Sequence, residues 1–132
     1  MKNLHSKTIS FDDANLFECI LACSADDLDV LPFGVIGFDA GATVTAYNAL
    51  EALMAGLARN DVIGTGMFEI VAPCMNNFLI AERFVDALRN EVALDETLEY
   101  VLTLRMRPTP VTLRLLSRPG TPNRYILIRR KT

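Results

Sequence analysis

The sequence has little of what metal centres and nucleic-acid binding require. It contains one histidine, three cysteines and no tryptophan, and its formal net charge is -3. The histidine, His5, lies in a polar leader and the cysteines lack the paired spacing of zinc sites, so we expect no metal. An acidic chain also gives no reason to expect a nucleic acid or an anionic membrane as partner.

Cysteine is also too scarce for a disulfide framework. Cys19 and Cys23 lie four positions apart in a helical pattern, which puts them on one helix face, and Cys74 is left over. No apolar run is as long as a membrane span, and the first residues lack the apolar middle of a signal peptide. We therefore expect a cytoplasmic protein with free thiols.

What the chain does have is enough apolar sequence for one globular domain. Hydrophobic residues make up 51% of its 132 residues, and charged residues make up 22%. A chain of this size buries roughly two-thirds of the surface that it exposes when unfolded, so its core needs no disulfide or metal.

The periodicity of the apolar residues predicts an α+β domain. Two short helices are expected over residues 12–31, the second one beginning at the cap residue Ser24, and a strand hairpin follows over residues 33–47. Short helices broken by glycine fill the middle of the chain. A long amphipathic helix is expected to begin directly after Cys74 and to end near Asn90. Three further strands are expected over residues 98–106, 111–115 and 125–129.

This order of elements predicts a five-stranded antiparallel sheet, with helices on one face and the N-terminal helices as a cap. We take residues 1–25 as the cap and residues 26–132 as the core of a single domain. A binding pocket is expected between the sheet and the helical middle, where glycine-rich breaks leave irregular backbone over an apolar floor.

Cys74 is the first candidate for chemistry, because it follows Pro73 on a short irregular segment. A cysteine nucleophile of an enzyme needs a histidine base, and His5 is poorly placed to serve, so we do not expect an enzyme. The chain also lacks a recognisable metal cluster or phosphate-binding loop. Two interpretations of Cys74 remain from the residues alone. It is either a small buried hydrophobe or a reactive thiol at the N-terminus of the following helix.

Tyr47 and Glu51 form a second candidate pair. Tyr47 ends a strand and Glu51 lies one turn into the following helix, so the phenol and the carboxyl group can face the same side. The neighbours of Glu51 are apolar, and a buried carboxyl without a cation has a raised pKa and stays protonated as a hydrogen-bond donor. The alternative is that Glu51 lies on the solvated side of its helix.

Six segments of the chain carry a resemblance to one known family. They are Leu31-Pro-Phe-Gly-Val-Ile-Gly-Phe-Asp39, Ala46-Tyr-Asn-Ala49 with Glu51, Val62-Ile-Gly64, Val71-Ala-Pro-Cys74, Leu98-Glu-Tyr100 and Met106-Arg-Pro-Thr109. Together they resemble the photoactive yellow protein family, the PAS-fold blue-light receptors of bacteria. The resemblance runs from about Asp26 to the C-terminus.

The resemblance implies a PAS fold and a covalent chromophore. In that family, the cysteine that matches Cys74 carries a 4-hydroxycinnamoyl (p-coumaroyl) group as a thioester. The residues that match Tyr47 and Glu51 hydrogen-bond its phenolate oxygen, and the glutamate is protonated. The other chromophore-binding positions that the resemblance implies are Ala55, Leu57, Phe68 and Met106.

The resemblance also implies a mechanism. Light isomerises the chromophore double bond, the phenolate takes the proton of Glu51, and the carboxylate left in an apolar pocket destabilises the packing around it. Loosening of the N-terminal cap is the expected signal, which a downstream protein reads. No catalytic residue is implied.

Five positions depart from the family pattern: Met67, Leu102 and Leu104 stand where larger aromatic residues are common, and Ala55 and Leu57 replace hydrogen-bonding residues. The family usually has a threonine that supports the tyrosine where this chain has Ala55, and an arginine that covers the ring where it has Leu57. Neither replacement donates a hydrogen bond, so we expect an altered colour and altered photocycle kinetics. The alternative function, of a different class, is a PAS-type ligand-binding or dimerisation module without a covalent chromophore.

Overall fold

The fold is built on one antiparallel sheet of five strands, seen in a computed structural model that describes residues 9–103 and 108–130. The strands are β1 (Gly34–Phe38), β2 (Val44–Tyr47), β3 (Leu94–Leu102), β4 (Thr109–Ser117) and β5 (Arg124–Arg130). They lie side by side in the order β2, β1, β5, β4, β3, so the last strand pairs with the first. This is the α+β sheet that the sequence predicts.

Short helices occupy much of the remaining chain. The α-helices are α1 (Leu16–Leu21), α2 (Ala25–Asp29), α3 (Ala49–Ala55), α4 (Arg59–Val62) and α5 (Ala81–Asn90). A π-helical turn, Met67–Val71, and a 3-10 turn, Pro73–Met75, lie between α4 and α5. Among the described residues, no helix has the length and the apolar character needed to cross a membrane.

The predicted starts of α2 and α3 and the predicted end of α3 are confirmed by their hydrogen bonds. Ser24 caps α2 in a reciprocal capping box with Asp27. The Asn48 side chain accepts a hydrogen bond from the N–H group of Glu51 in the first turn of α3. Gly56 ends α3 in the left-handed conformation, with φ of 74°.

Two other predicted boundaries are wrong. Helix α5 begins at Ala81 and not directly after Cys74, because Asn77 Oδ1 accepts hydrogen bonds from two backbone N–H groups just before the helix and forms a separate turn. Strand β3 begins at Leu94, four positions before the predicted start, because its first residues pair with the end of β4. The predicted end of this strand, near residue 106, lies outside the described residues.

The two faces of the sheet bury two separate hydrophobic clusters. The division is clear along β5, where Ile126 and Ile128 pack with the helical middle of the chain, whereas Tyr125 and Leu127 pack with the N-terminal segment. We call these sides of the sheet the helix face and the cap face. The helix-face cluster joins side chains of all five strands to α4, α5 and the π-helical turn.

The N-terminal segment covers the cap face, which confirms the predicted N-terminal helical cap. Phe11 packs edge-on against Phe33 with ring centroids 5.6 Å apart, and Phe17 packs in the same way against Tyr125 at 6.1 Å. The boundary that we placed after residue 25 falls inside α2 and stays a prediction.

Arg114 on β4 fastens the backbone of the cap to the sheet. Its buried guanidinium donates two hydrogen bonds of 2.9 Å to the Asp95 carboxylate of β3. Its Nη1 donates two more, each of 2.8 Å, to the backbone oxygens of Phe11 and Asp13. One side chain thus connects two strands to the segment before α1.

Two further arginines hold the cap from the same face of the sheet. Each one pairs with a carboxylate of the cap and lies over the ring of a cap phenylalanine. The contacts are those of Arg118 with Glu18 and Phe17, and those of Arg129 with Asp12 and Phe11.

We predict that Arg114→Ala loosens the cap and lowers the free energy of unfolding by about 2 kcal/mol, because two cap carbonyl oxygens lose their charged donor. Urea unfolding measures the stability, and hydrogen exchange of the amides in residues 11–21 measures opening of the cap. Arg89→Ala is the control, since Arg89 pairs with Asp86 on the exposed side of α5. Equal stability of the two variants would contradict this role of Arg114.

Candidate functional site

The buried Asn48 side chain sets the positions of the residues around it. Its Oδ1 accepts hydrogen bonds from the N–H groups of Val35 and Glu51, at 2.9 and 3.1 Å. Its Nδ2 donates to the carbonyl oxygens of Leu28 and Phe33, at 2.9 and 3.0 Å. Every hydrogen-bonding position of the amide is used, so Asn48 joins α2, β1 and α3 at one point.

Tyr47 ends β2 with its ring in the helix-face cluster, and its hydroxyl group has no hydrogen-bond partner among the described residues. The residue is 3% exposed, and this hydroxyl oxygen is the one buried side-chain polar atom in the described part of the chain that makes no hydrogen bond. Burial, together with the charge of Glu51, raises the pKa of the phenol to about 12. The group is therefore a protonated donor for which residues 9–103 and 108–130 supply no acceptor.

Glu51 is buried against β1, which excludes the alternative of a solvated side chain. Its carboxylate forms a two-point ion pair with Arg130 at the end of β5, with Nη1 to Oε1 at 2.8 Å and Nη2 to Oε2 at 3.1 Å. Burial raises the pKa of Glu51, and the pairing with Arg130 opposes that rise. The expectation of a buried carboxyl without a cation is therefore wrong in this structure.

Gly34 provides the space that the Glu51 carboxyl group occupies. A Cβ atom at position 34 would overlap Glu51 Oε1. Glycine inside a strand weakens the strand, so a glycine there commonly marks a place where another group approaches the backbone closely. In β1 that group is the paired carboxylate.

Cys74 lies in the 3-10 turn as a free thiol, partly buried against the helix-face cluster. Its carbonyl oxygen accepts hydrogen bonds from the Tyr100 hydroxyl at 2.6 Å and from Asn77 Nδ2 at 3.2 Å. The interpretation of a thiol at the N-terminus of a helix is wrong, because α5 begins only at Ala81. The thiol is also more exposed than the interpretation of a buried hydrophobe requires.

The other described candidate residues lie near the same cluster. Ala55 is buried at the end of α3, and Leu57 packs against the helix-face cluster just after that helix. Phe68 belongs to the cluster and packs edge-on against Phe38, with ring centroids 5.4 Å apart. Met106 lies outside the described residues.

Arg59, Asn77 and Arg130 also belong to the site, although no sequence motif identified them. Arg59 Nε donates to the carbonyl oxygen of Tyr47 at 2.9 Å and so holds the end of β2. For Arg130 a signal did exist, because period-two alternation along β5 puts it on the same face as Ile128. The contacts of Arg59 and Asn77 depend on how separate turns pack together, which no local pattern encodes.

Within residues 9–103 and 108–130, no group of three or more His, Cys, Asp and Glu side chains is arranged to hold a metal. Tyr47 lies in the helix-face cluster, Cys74 packs against that cluster, and the Glu51 carboxyl group is buried beside Gly34 of β1. Such a set can hold an apolar group that ends in a hydrogen-bond acceptor.

The chain resembles curated photoactive yellow proteins over most of its length. It is 31% identical to the one from Halochromatium salexigens over 122 residues, which are 92% of this chain and 97% of that protein. It is 33% identical to the one from Rhodothalassium salexigens over 103 residues, which are 78% of this chain and 82% of that protein. No protein-family model matches the chain.

A solved structure resembles the fold as well. It is the photoactive yellow protein domain from the sensor histidine kinase Ppr of Rhodospirillum centenum, with a TM-score of 0.76 and 30% sequence identity. The match covers 85% of this chain and 97% of that domain. The predicted PAS fold is confirmed.

Gly34→Ala should push the Glu51 carboxyl group away from Arg130 and lower the free energy of unfolding by roughly 1–3 kcal/mol, as overpacking of a buried site does. Urea unfolding measures the loss. Gly41→Ala is the matched control, because a Cβ at position 41 would make only ordinary contact, 3.5 Å from Asp39 Oδ1. If both variants are as stable as the unmodified protein, Glu51 does not occupy the space above Gly34.

Proposed function

The chain belongs to the photoactive yellow protein family, and we propose that it is a blue-light photoreceptor with a p-coumaroyl (4-hydroxycinnamoyl) group bound as a thioester to Cys74. The observation that supports this proposal most directly is the Tyr47 hydroxyl, which no side chain or backbone group in the described part of the chain hydrogen-bonds. A buried donor without an acceptor costs free energy, and a bound phenolate oxygen would be the missing acceptor. When bound, the p-coumaroyl group supplies the absorption of light and a double bond that can isomerise.

Cys74 would hold the group through its sulfur. The thiol is free and only partly buried, and it borders the same cluster as Tyr47. The hydrogen bonds from Tyr100 and Asn77 to the Cys74 carbonyl fix the backbone from which the sulfur projects. A fixed backbone restricts the orientation of whatever the sulfur carries.

Tyr47 and Glu51 would hold the phenolate end. The pKa of about 12 keeps the Tyr47 phenol protonated at neutral pH, so it can donate a hydrogen bond. Burial raises the pKa of Glu51 and thereby favours a protonated carboxyl, which can donate a second one. Two donors from the chain would compensate a buried anion without bulk water.

The remaining proposed lining is apolar. Ala55 is buried and has no hydroxyl to offer Tyr47, and Leu57 packs against the helix-face cluster where the family usually has an arginine. The Tyr47 hydroxyl would therefore be oriented by the bound group alone, and colour and photocycle rates would differ from those of members with the usual residues. Phe68 and Met106 complete the proposed set.

The output would be a signal to a downstream protein, and not catalysis. The N-terminal cap lies on the face of the sheet opposite the proposed site, and arginines from the sheet hold it there. The exposed ion pairs of Arg118 and Arg129 are the weaker of the cap contacts, and a modest change in the sheet beneath them can release them. Loosening of the cap is the proposed signal.

Purified protein treated with an activated ester of p-coumaric acid should gain an absorption band at longer wavelength than the free acid and the mass of one p-coumaroyl group. Cys74→Ala should gain neither. Cys19→Ala should gain both, because it removes a different partly buried thiol. Absorption spectra measure the band, and mass spectrometry of the intact protein measures the added mass. Absence of the band in the unmodified protein, or its survival in Cys74→Ala, would count against the proposal and favour a PAS-type binding module.

Tyr47→Phe should affect the two forms of the protein differently. Without the chromophore, it should leave the free energy of unfolding unchanged or raise it by about 1 kcal/mol, because the lost hydroxyl makes no hydrogen bond. With the chromophore, it should shift the absorption band. Tyr125→Phe is the control, since the Tyr125 ring lies in the cap-face cluster, on the other side of the sheet, and loss of its hydroxyl should not move the band. A band that stays in place in Tyr47→Phe would remove Tyr47 from the proposed role.

A further inference from the structure

We propose that Arg130 is the counter-ion of Glu51, and that it pairs with the Glu51 carboxyl group whenever that group is charged. The pair is enclosed, with the Arg130 side chain 13% exposed and the Glu51 side chain 2% exposed. The two guanidinium nitrogens donate to different carboxylate oxygens, so the ion pair is bidentate. We call this bidentate pair the fork. An arginine can make such a fork, whereas a lysine cannot.

The fork belongs to the charged form of Glu51. A protonated carboxyl keeps one oxygen as a donor, so it cannot accept two guanidinium hydrogen bonds with both oxygens equally. Burial favours the neutral carboxyl and the cation favours the carboxylate, so the two influences on Glu51 oppose each other. Among the described residues, the titratable groups that interact electrostatically with this carboxyl are Arg130 on β5 and Tyr47 on β2.

The two charge states of Glu51 therefore have different partners. The charged form pairs with Arg130, as in this structure, and the neutral form can instead donate a hydrogen bond on the side of Tyr47. The backbone of Arg130, the last residue of β5, pairs with Val111 of β4, and this pairing holds the guanidinium beside Glu51. Arg130 thus stabilises the charged form of Glu51 and not the neutral form.

The ion pair with Arg130 changes the expected effect of light on Glu51. This inference rests on the proposed function, in which Glu51 loses its proton after illumination. The carboxylate would not remain unpaired in an apolar pocket, because a guanidinium lies within hydrogen-bond distance. Breaking a buried pair leaves a costly charge, so Arg130 would stabilise the state that light forms and slow its decay. Arg130 is in this sense a positioning residue for Glu51.

The first test needs no chromophore. Infrared spectra of the chromophore-free protein are recorded at slightly alkaline pH for the unmodified chain and for Arg130→Gln, and each is referenced to the same chain carrying Glu51→Gln. The unmodified chain should show no C=O band of a protonated Glu51. Arg130→Gln should show one, because burial remains and the cation is gone. Arg129→Gln, which removes the same charge from the cap face, should match the unmodified chain.

If the infrared bands of Glu51 are the same in the unmodified chain and in Arg130→Gln, the proposal is overturned. If Arg130→Gln does not fold, Arg130→Lys replaces it, with the Glu51 carboxyl followed by carbon-13 NMR during a pH titration. The pKa of Glu51 should then be higher than in the unmodified chain, because an ammonium group cannot make the fork. An unchanged pKa would overturn the proposal as well.

The second test uses the reconstituted protein. After a flash of light, Arg130→Gln should return to its dark spectrum roughly tenfold faster or more, because its carboxylate has lost two charged hydrogen bonds. Recovery at the rate of the unmodified chain would refute the role in the light. If no absorption band forms on reconstitution, the proposed function fails, and the infrared comparison still decides whether Arg130 is the counter-ion.

Discussion

Four hydrogen bonds of the buried Asn48 amide tie α2, β1 and α3 together, and the residues beside it carry the candidate site. Without the amide, two backbone N–H groups and two carbonyl oxygens would lose their partners in a dry interior, which costs much more than losing a surface contact. Asn48 binds the N–H group of Glu51 directly and follows Tyr47 in the chain. Asn48 therefore fixes the backbone at the start of α3, between Tyr47 and Glu51.

Two polar side chains extend from this anchor into an apolar layer, and the chain compensates them unequally. Glu51 has a guanidinium fork from Arg130 and space above Gly34. The Tyr47 hydroxyl has no partner in the described part of the chain. Buried polar groups nearly always make hydrogen bonds. The Glu51 carboxylate does so and the nearby Tyr47 hydroxyl does not, which indicates a place for an acceptor beside Tyr47. This imbalance is the physical reason to expect a ligand at this point of the cluster.

Strand β5 connects this site with the N-terminal cap through its alternation. Arg130 contacts Glu51 on the helix face, and the preceding residue, Arg129, contacts Asp12 and Phe11 on the cap face. Neighbouring residues of a strand point to opposite sides, so a movement at the end of β5 is felt on both faces. The cap is held there by ion pairs, cation–π contacts and the buried Arg114, in addition to its own aromatic packing.

By itself, the sequence determined the α+β pattern, the hairpin and the caps at Ser24 and Asn48, because strand and helix periods and turn chemistry are local properties. The family was indicated separately, by the resemblance of six segments. It did not predict the start of α5, where the Asn77 side chain forms a competing turn. Only the tertiary structure decided the partner of Glu51, since Arg130 lies 79 positions away in the chain. The missing partner of Tyr47 was equally invisible, because an unsatisfied group is defined by everything that folds around it.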